Sequence, residues 1–281
     1  MVNETVIAQT FNKDLANEYG KICGNYSLWS NLTIFWGCGT NLHRSPYNAR
    51  NHEYYSEDAV LTSGQAVAFI SGGKEYGVII APKHLAFNDT EINRTGVSVF
   101  MTEQQARENE LRGTQAAIED AGALGVMTAF NRVGITAANA HTGLLKNILR
   151  GEWGFKGLES QDFIMNPNYA VLKEYALNGG TMTTFTGENT MAAVSEKFAY
   201  WTTENVGQDT ELMSAIKQAM TWQAYALANS NALDGIASST RLVSVRTWYD
   251  NALVAVQVVF AALTVLAAAM YVLNDRKSKK Q

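Results

Sequence analysis

Between Trp36 and Asp58 the chain reads WGCGTNLHRSPYNARNHEYYSED, and side chains that could do chemistry are concentrated there. Two arginines, Arg44 and Arg50, and two histidines, His43 and His52, stand among asparagines and three tyrosines. So many donors near aromatic rings suit a polar, ring-shaped ligand. The segment follows the apolar run Leu32 to Phe35, which reads as a short buried strand, so the polar stretch reads as a loop at a strand end. A solvated surface loop has a similar composition, and composition alone leaves both readings open.

The elements that must position this loop alternate between helix and strand. Asn12 to Asn25 reads as a helix with Asn12 as its N-cap, and Thr33 to Gly37 as a strand. Asp58 to Gly73 reads as a helix, and Gly77 to Pro82 is a continuous apolar run of the kind found in parallel strands buried on both faces. Thr102 opens a further helix, where Gln105 can close a capping box. Strands are expected at Leu124 to Phe130, Leu158 to Asp162 and Thr181 to Phe185, with helices at Asn139 to Arg150 and Tyr169 to Asn178. This alternation predicts a parallel sheet with functional loops at the carboxyl ends of its strands.

With 281 residues, 47% of them hydrophobic, the chain can bury a large core. Its net charge of -4 gives no electrostatic footprint for nucleic acid. Cys23 and Cys38 are too few for a disulfide framework and read as buried thiols, with a single bridge still open. The spacing suggests no metal site, and no cofactor is expected.

The run from Gly39 to Asp58 closely resembles the signature loop of family 3 glycoside hydrolases, the exo-acting β-glucosidases and their relatives. Its usual form is G-x-N-I-x-R-x-P-x-x-G-R-N-x-E-Y-x-S-E-D. Further blocks follow in the family's order: Lys83-His84 within APKHLAFND, then Asn93-Arg94, then VMTAFN at Val126 to Asn131, then GEWGFKGLESQD ending at Asp162. The resemblance covers roughly residues 4–185 and implies a (β/α)8 barrel of the TIM type. About five strands are readable where such a barrel needs eight, so an incomplete barrel is expected. The family's first strands, with an aspartate that holds sugar hydroxyls, would lie upstream of Met1, and the chain is expected to start part-way into the catalytic domain.

What the resemblance implies for the site is a retaining exo-glycosidase acting on a β-glucoside or a short β-linked oligosaccharide. Asp162 matches the nucleophile, although an aspartate ending a strand also serves as a turn or cap residue. Lys83 and His84 match a pair that donates hydrogen bonds to sugar hydroxyls. A strand-end lysine can instead form a Schiff base, but no other aldolase feature accompanies this one. Arg50 matches an arginine that reaches the same sugar, and its fixed fork suits vicinal hydroxyls. Met127 matches a position lining the subsite, or serves as core filler. Phe163, where the family usually has Trp, completes the substrate-binding set, while His43, Arg44, Asn93 and Arg94 are expected to shape the surrounding loops. Gln161 and Phe130 depart from the usual Ser/Thr and Tyr, and Glu159 puts a carboxylate in a strand that is usually apolar, which is costly unless it is paired. In β-glucosidase-like members the acid/base glutamate comes from a second α/β domain, and no segment here resembles it. The alternative to an enzyme is a membrane-tethered, inactive sugar-binding remnant of the same fold.

After Glu188 the pattern turns helical, including Glu211 to Ser230. Then Ala252 to Leu273, ALVAVQVVFAALTVLAAAMYVL, runs apolar for about 22 residues, or roughly 33 Å as a helix, against a hydrocarbon core of about 30 Å. Arg276, Lys277, Lys279 and Lys280 follow it. The basic excess predicts a single-pass cell-membrane protein with a cytoplasmic C-terminus and an extracytoplasmic barrel. Three regions result: a partial barrel at 1–187, a helical extension at 188–248, and a transmembrane helix with its basic tail at 249–281.

Overall fold

Four strands, β1 (Ile34–Gly39), β2 (Ile79–Leu85), β4 (Gly125–Thr128) and β7 (Leu158–Gln161), pair side by side in the order β1-β2-β4-β7, all parallel and, apart from the first half of β1 and Lys83, buried. The computed structural model describes residues 2–94, 96–163, 171–184, 201–233 and 248–278. A three-stranded sheet of β3 (Ser98–Val99), β5 (Arg132–Val133) and β6 (Thr136–Ala137) stands apart from the main one. Among the described residues the main sheet does not close on itself. The expected fifth strand at 181–185 is reduced to one parallel bridge between Ser160 and Met182, and Phe185 lies outside the described residues.

Local chemistry sets the helices of the outer layer. The Asn12 side chain accepts from the backbone N–H groups of Asp14 and Leu15 and starts the helix Lys13–Trp29; Asp58 accepts from Leu61 and starts Ala59–Lys74. These two helices touch backbone to backbone. A Cβ on Gly20 would lie 2.0 Å from the Phe69 carbonyl oxygen, and one on Gly72 would lie 2.1 Å from that of Asn17. Phe69, Ile70, Ala117 and Ala121 then cover Val78 and Ile80 of the sheet. The helix expected from Thr102 is interrupted: its cap holds, with Gln105 N–H donating to Thr102, but Ala106–Glu110 winds as a π-helix before Arg112–Glu119 resumes as α. Such bulges widen one turn and re-aim the side chains on it.

On the opposite face, Ile79 and Leu158 are buried beneath Ala226 from the helix Thr210–Ala228. Just beyond that helix, Asn231 donates its backbone N–H to the Gly77 carbonyl at 2.7 Å and its side-chain amide to the Leu32 carbonyl at 3.3 Å. These bonds tie the end of the helix to the segments that lead into β1 and β2. Arg150 fastens the same helix to the turn before β7, donating to the carbonyls of Phe155, Gly157 and Gly179 while its guanidinium lies 3.8 Å from the Trp222 ring. By compaction, residues 1–234 form one unit and 235–281 another, so the helices at 203–228 belong with the sheet. Cys23 and Cys38 are free and buried.

In the second unit, Trp248–Ser278 is one continuous helix. Its stretch Trp248–Leu273 is long and apolar enough, by length and composition, to cross a bilayer.

Candidate active site at the carboxyl ends of the strands

Strand register brings the candidate residues together. Lys83 on β2 is abreast of Met127 on β4, which is abreast of Ser160 on β7. Parallel strands in register send abreast side chains to one face, so these three share it. Asp162 follows β7 directly, its backbone N–H donating to the Thr128 carbonyl at 3.3 Å. Lys83 and His84 lie inside β2, because the strand runs farther than the apolar run Gly77 to Pro82 suggested. Arg50 arrives from the loop after β1, which a parallel bridge between Gly39 and Tyr54 and a bond from the Thr5 hydroxyl to the Tyr54 carbonyl hold in place.

His84 is the hub. Its side chain is buried, its Nε2 lies 3.2 Å from Arg50 Nη2 and 3.5 Å from Asp162 Oδ2, and its Nδ1 lies 3.3 Å from both Asn41 Oδ1 and the Tyr54 hydroxyl. Burial, then the cations of Arg50, Lys83 and Arg94, hold its pKa well below the ordinary range, so the ring is neutral and its approach to Asp162 is no ion pair. A guanidinium only donates. Nε2 therefore faces a donor in Arg50 and an acceptor in Asp162, while Nδ1 faces the Asn88 amide at 3.4 Å and Asn41 Oδ1, which also accepts from the His84 backbone N–H at 2.8 Å.

Asp162 is 9% exposed, and its Oδ1 accepts from the Phe163 backbone N–H at 2.8 Å. Burial raises its pKa from 3.8, against the pull of that N–H and of the Arg94, Arg50 and Lys83 cations. Those cations are themselves paired with carboxylates. Arg50 Nε meets Glu53, Arg50 Nη1 meets Glu91 at 3.4 Å, Lys83 meets Glu53 at 3.2 Å, and Arg94 meets Glu91 at 3.1 Å. Among the loop-shaping residues, Arg44 pairs with buried Asp89 and Glu110, His43 Nε2 lies 2.9 Å from the Tyr54 carbonyl, and the Arg94 guanidinium covers the Phe130 ring at 4.4 Å. Asn93 turns the chain at a positive φ of 54°.

Met127 is buried within β4, whereas Phe163 leaves 44% of its surface in solvent beside Asp162. Gln161 is buried and accepts from the Asn139 amide at 2.7 Å, tying β7 to the loop after β6. Glu53, Glu91, Asn41 and Tyr54 were given no role from the sequence, although three of the four lie within the signature loop. No cluster of three or more His, Cys, Asp or Glu able to hold a metal ion occurs among the described residues.

A parallel sheet with helices packed against it, carrying carboxylates, cations and a neutral histidine at the carboxyl ends of its strands, defines an α/β protein with a candidate polar site there. The chain belongs to glycosyl hydrolase family 3, residues 3–193 matching the Glycosyl hydrolase family 3 N terminal domain. It is 35% identical over 159 residues to the probable β-glucosidase J of Emericella nidulans, covering 57% of this chain and 19% of that protein. With a β-glucosidase of Ruminococcus albus it shares 37% identity over 167 residues, covering 59% and 18% of the two chains. The fold is similar to that of β-glucosidase 3B from Thermotoga neapolitana in complex with α-D-glucose, at a TM-score of 0.74 and 27% identity, over 82% of this chain and 32% of that one. A β-glucosidase from Paenibacillus barengoltzii gives a TM-score of 0.72 at 26% identity, over 87% and 27%. The chain thus spans about a fifth of the length of such curated relatives.

Proposed function

We propose that this chain carries the nucleophile half of a retaining exo-glycosidase that removes terminal β-linked glucose or a related sugar. Asp162 attacks the anomeric carbon, while Arg50, Lys83 and His84 hold the hydroxyls and Met127 and Phe163 line the subsite. The convergence of Asp162 with His84, Arg50 and Lys83 at one end of the sheet carries this reading, because a covalent glycosyl intermediate needs a carboxylate facing a held sugar. The family's relatives named as β-glucosidases, and the glucose named in a related structure, support the substrate class. Retention also needs a second carboxyl about 5 Å from the first, as acid and then base, and we assign that role to none of this chain's residues. The apolar helix Trp248–Leu273 and the basic residues after it support a bilayer anchor with a cytoplasmic C-terminus.

A 2-deoxy-2-fluoro glycoside with an activated leaving group tests the nucleophile on this chain, since a good leaving group needs little protonation. Peptide mass mapping is expected to place the label on Asp162, within the peptide that begins at Gly157, and Asp162→Asn is expected to abolish labelling. Label on Glu159, or an Asp162→Asn variant that still traps the sugar, sinks the assignment. Glucose binding without any labelling favours the tethered sugar-binding remnant instead.

A further inference from the structure

We propose that Glu53 is a positioning residue, a single carboxylate that holds Arg50 on one oxygen and Lys83 on the other and so fixes the spacing of two cations reaching the ligand. The inference rests on the sugar-binding reading of Arg50 and Lys83. Arg50 Nε is bound to Oε1, and Lys83 Nζ lies 3.2 Å from Oε2. Arg50 belongs to the loop after β1 and Lys83 to β2, so these two bonds join separate elements. Without an anion between them the two cations would repel each other in a partly buried site. Burial works against the charge on Glu53, but Arg50 and Lys83 more than offset it and hold its carboxyl below the ordinary range.

The backbone of Glu53 is itself fixed. Its N–H donates to the Arg50 carbonyl at 3.0 Å in the short 3-10 turn Asn51–Glu53. Its carbonyl oxygen would lie 2.1 Å from any Cβ at Gly39, so a glycine in β1 lets the loop sit directly against the strand. Donor accounting shows what the clamp leaves over. A guanidinium has five N–H donors, and in Arg50 three of them are directed at Glu53, Glu91 and His84. Among the described residues two have no partner, and the Lys83 ammonium keeps two more after its bond to Glu53. The anions thus take up part of each fork and leave hydrogens on both cations for neighbouring hydroxyls. Glu53 need not touch the sugar to decide where those hydrogens lie.

The test uses the whole chain in detergent micelles, titrated with glucose by calorimetry as wild type, Glu53→Gln, Lys83→Met and the double variant. Glu53→Gln is expected to weaken glucose binding about tenfold, the scale of one charge-assisted hydrogen bond. The double variant is expected to lose less than the sum of the two single losses, because both remove parts of one unit. Undiminished affinity in Glu53→Gln, or strict additivity, overturns the proposal while leaving the sugar site standing. A carbon-13 titration of the Glu53 carboxyl without sugar separates the two ideas. It is expected to titrate below 4.5 in the wild type and to move upward in Lys83→Met. If the wild type binds no glucose, the sugar-site reading fails and the positioning role falls with it; if it binds glucose and Lys83→Met leaves the Glu53 carboxyl unmoved, only the clamp is overturned.

Discussion

Glu159→Gln removes a carboxyl from the middle of β7, where the side chain is fully buried and neither carboxylate oxygen has a hydrogen-bond partner. Burial raises its pKa from 4.5 to about 7, although Tyr175 and Arg150 pull the other way. The single hydroxyl hydrogen of Tyr175 lies within reach of two backbone carbonyls, those of Glu159 at 2.9 Å and Met182 at 2.8 Å, which compete with the carboxylate for it. The folded pKa lies above the unfolded one, so between pH 4.5 and 7 the folded chain keeps a proton that the unfolded chain has released. Stability from this group is therefore full below pH 4.5, falls as pH rises to 7 and stays low beyond it. At 1.36 kcal/mol per pKa unit the whole fall is about 3 kcal/mol. Glutamine keeps the shape of the protonated carboxyl and does not titrate. Urea unfolding at pH 4.5 and pH 8 is expected to show little difference between variant and wild type at the lower pH. At the upper pH the variant should gain about 3 kcal/mol, or roughly 6–12 °C in Tm for a domain of this size. Other titrating groups, including Glu4 with a pKa raised to about 8, are common to both proteins and cancel in the difference. An equal gain at both pH values, or a loss at pH 8, would refute the argument from burial.

Because burial lifts the Asp162 pKa above 3.8, the rate of trapping by a fluoro glycoside is expected to fall on acidification with a midpoint above that value; a midpoint at or below 3.8 contradicts it. Gly20→Ala is expected to cost about 1–3 kcal/mol or more, since its Cβ would meet the Phe69 carbonyl at 2.0 Å, while Gly207→Ala, with nothing within 4 Å, should be neutral or slightly stabilising. Equal unfolding midpoints for the two variants would show that the helices part freely. Deleting residues 245–281 is expected to release the protein from the membrane fraction, and a truncated product that still pellets with membranes counts against the anchor.

Much of this protein is local, and what is local was legible. Asn12 and Asp58 cap their helices through bonds that span two or three residues, so residue type alone places the starts. The run from Gly39 to Asp58, together with Lys83-His84 and GEWGFKG before Asp162, marked out the site because its residues are contiguous or sit at strand ends. Tertiary structure decided what joins distant parts. Which carboxylate faces which cation depends on β1 lying beside β2, and no spacing in the chain reveals that Glu53 reaches Lys83 or that Asn41 reaches His84. The same holds for the amino ends of the strands: Ala226 and Asn231 pack and bond there from nearly two hundred residues beyond Leu32, and nothing in the sequence of the helix that carries Ala226 points to that partner. Even the cost of Glu159, suspect from its place in an apolar strand, depends on packing: backbone carbonyls compete for the Tyr175 hydroxyl, and among the described residues neither carboxylate oxygen is hydrogen-bonded.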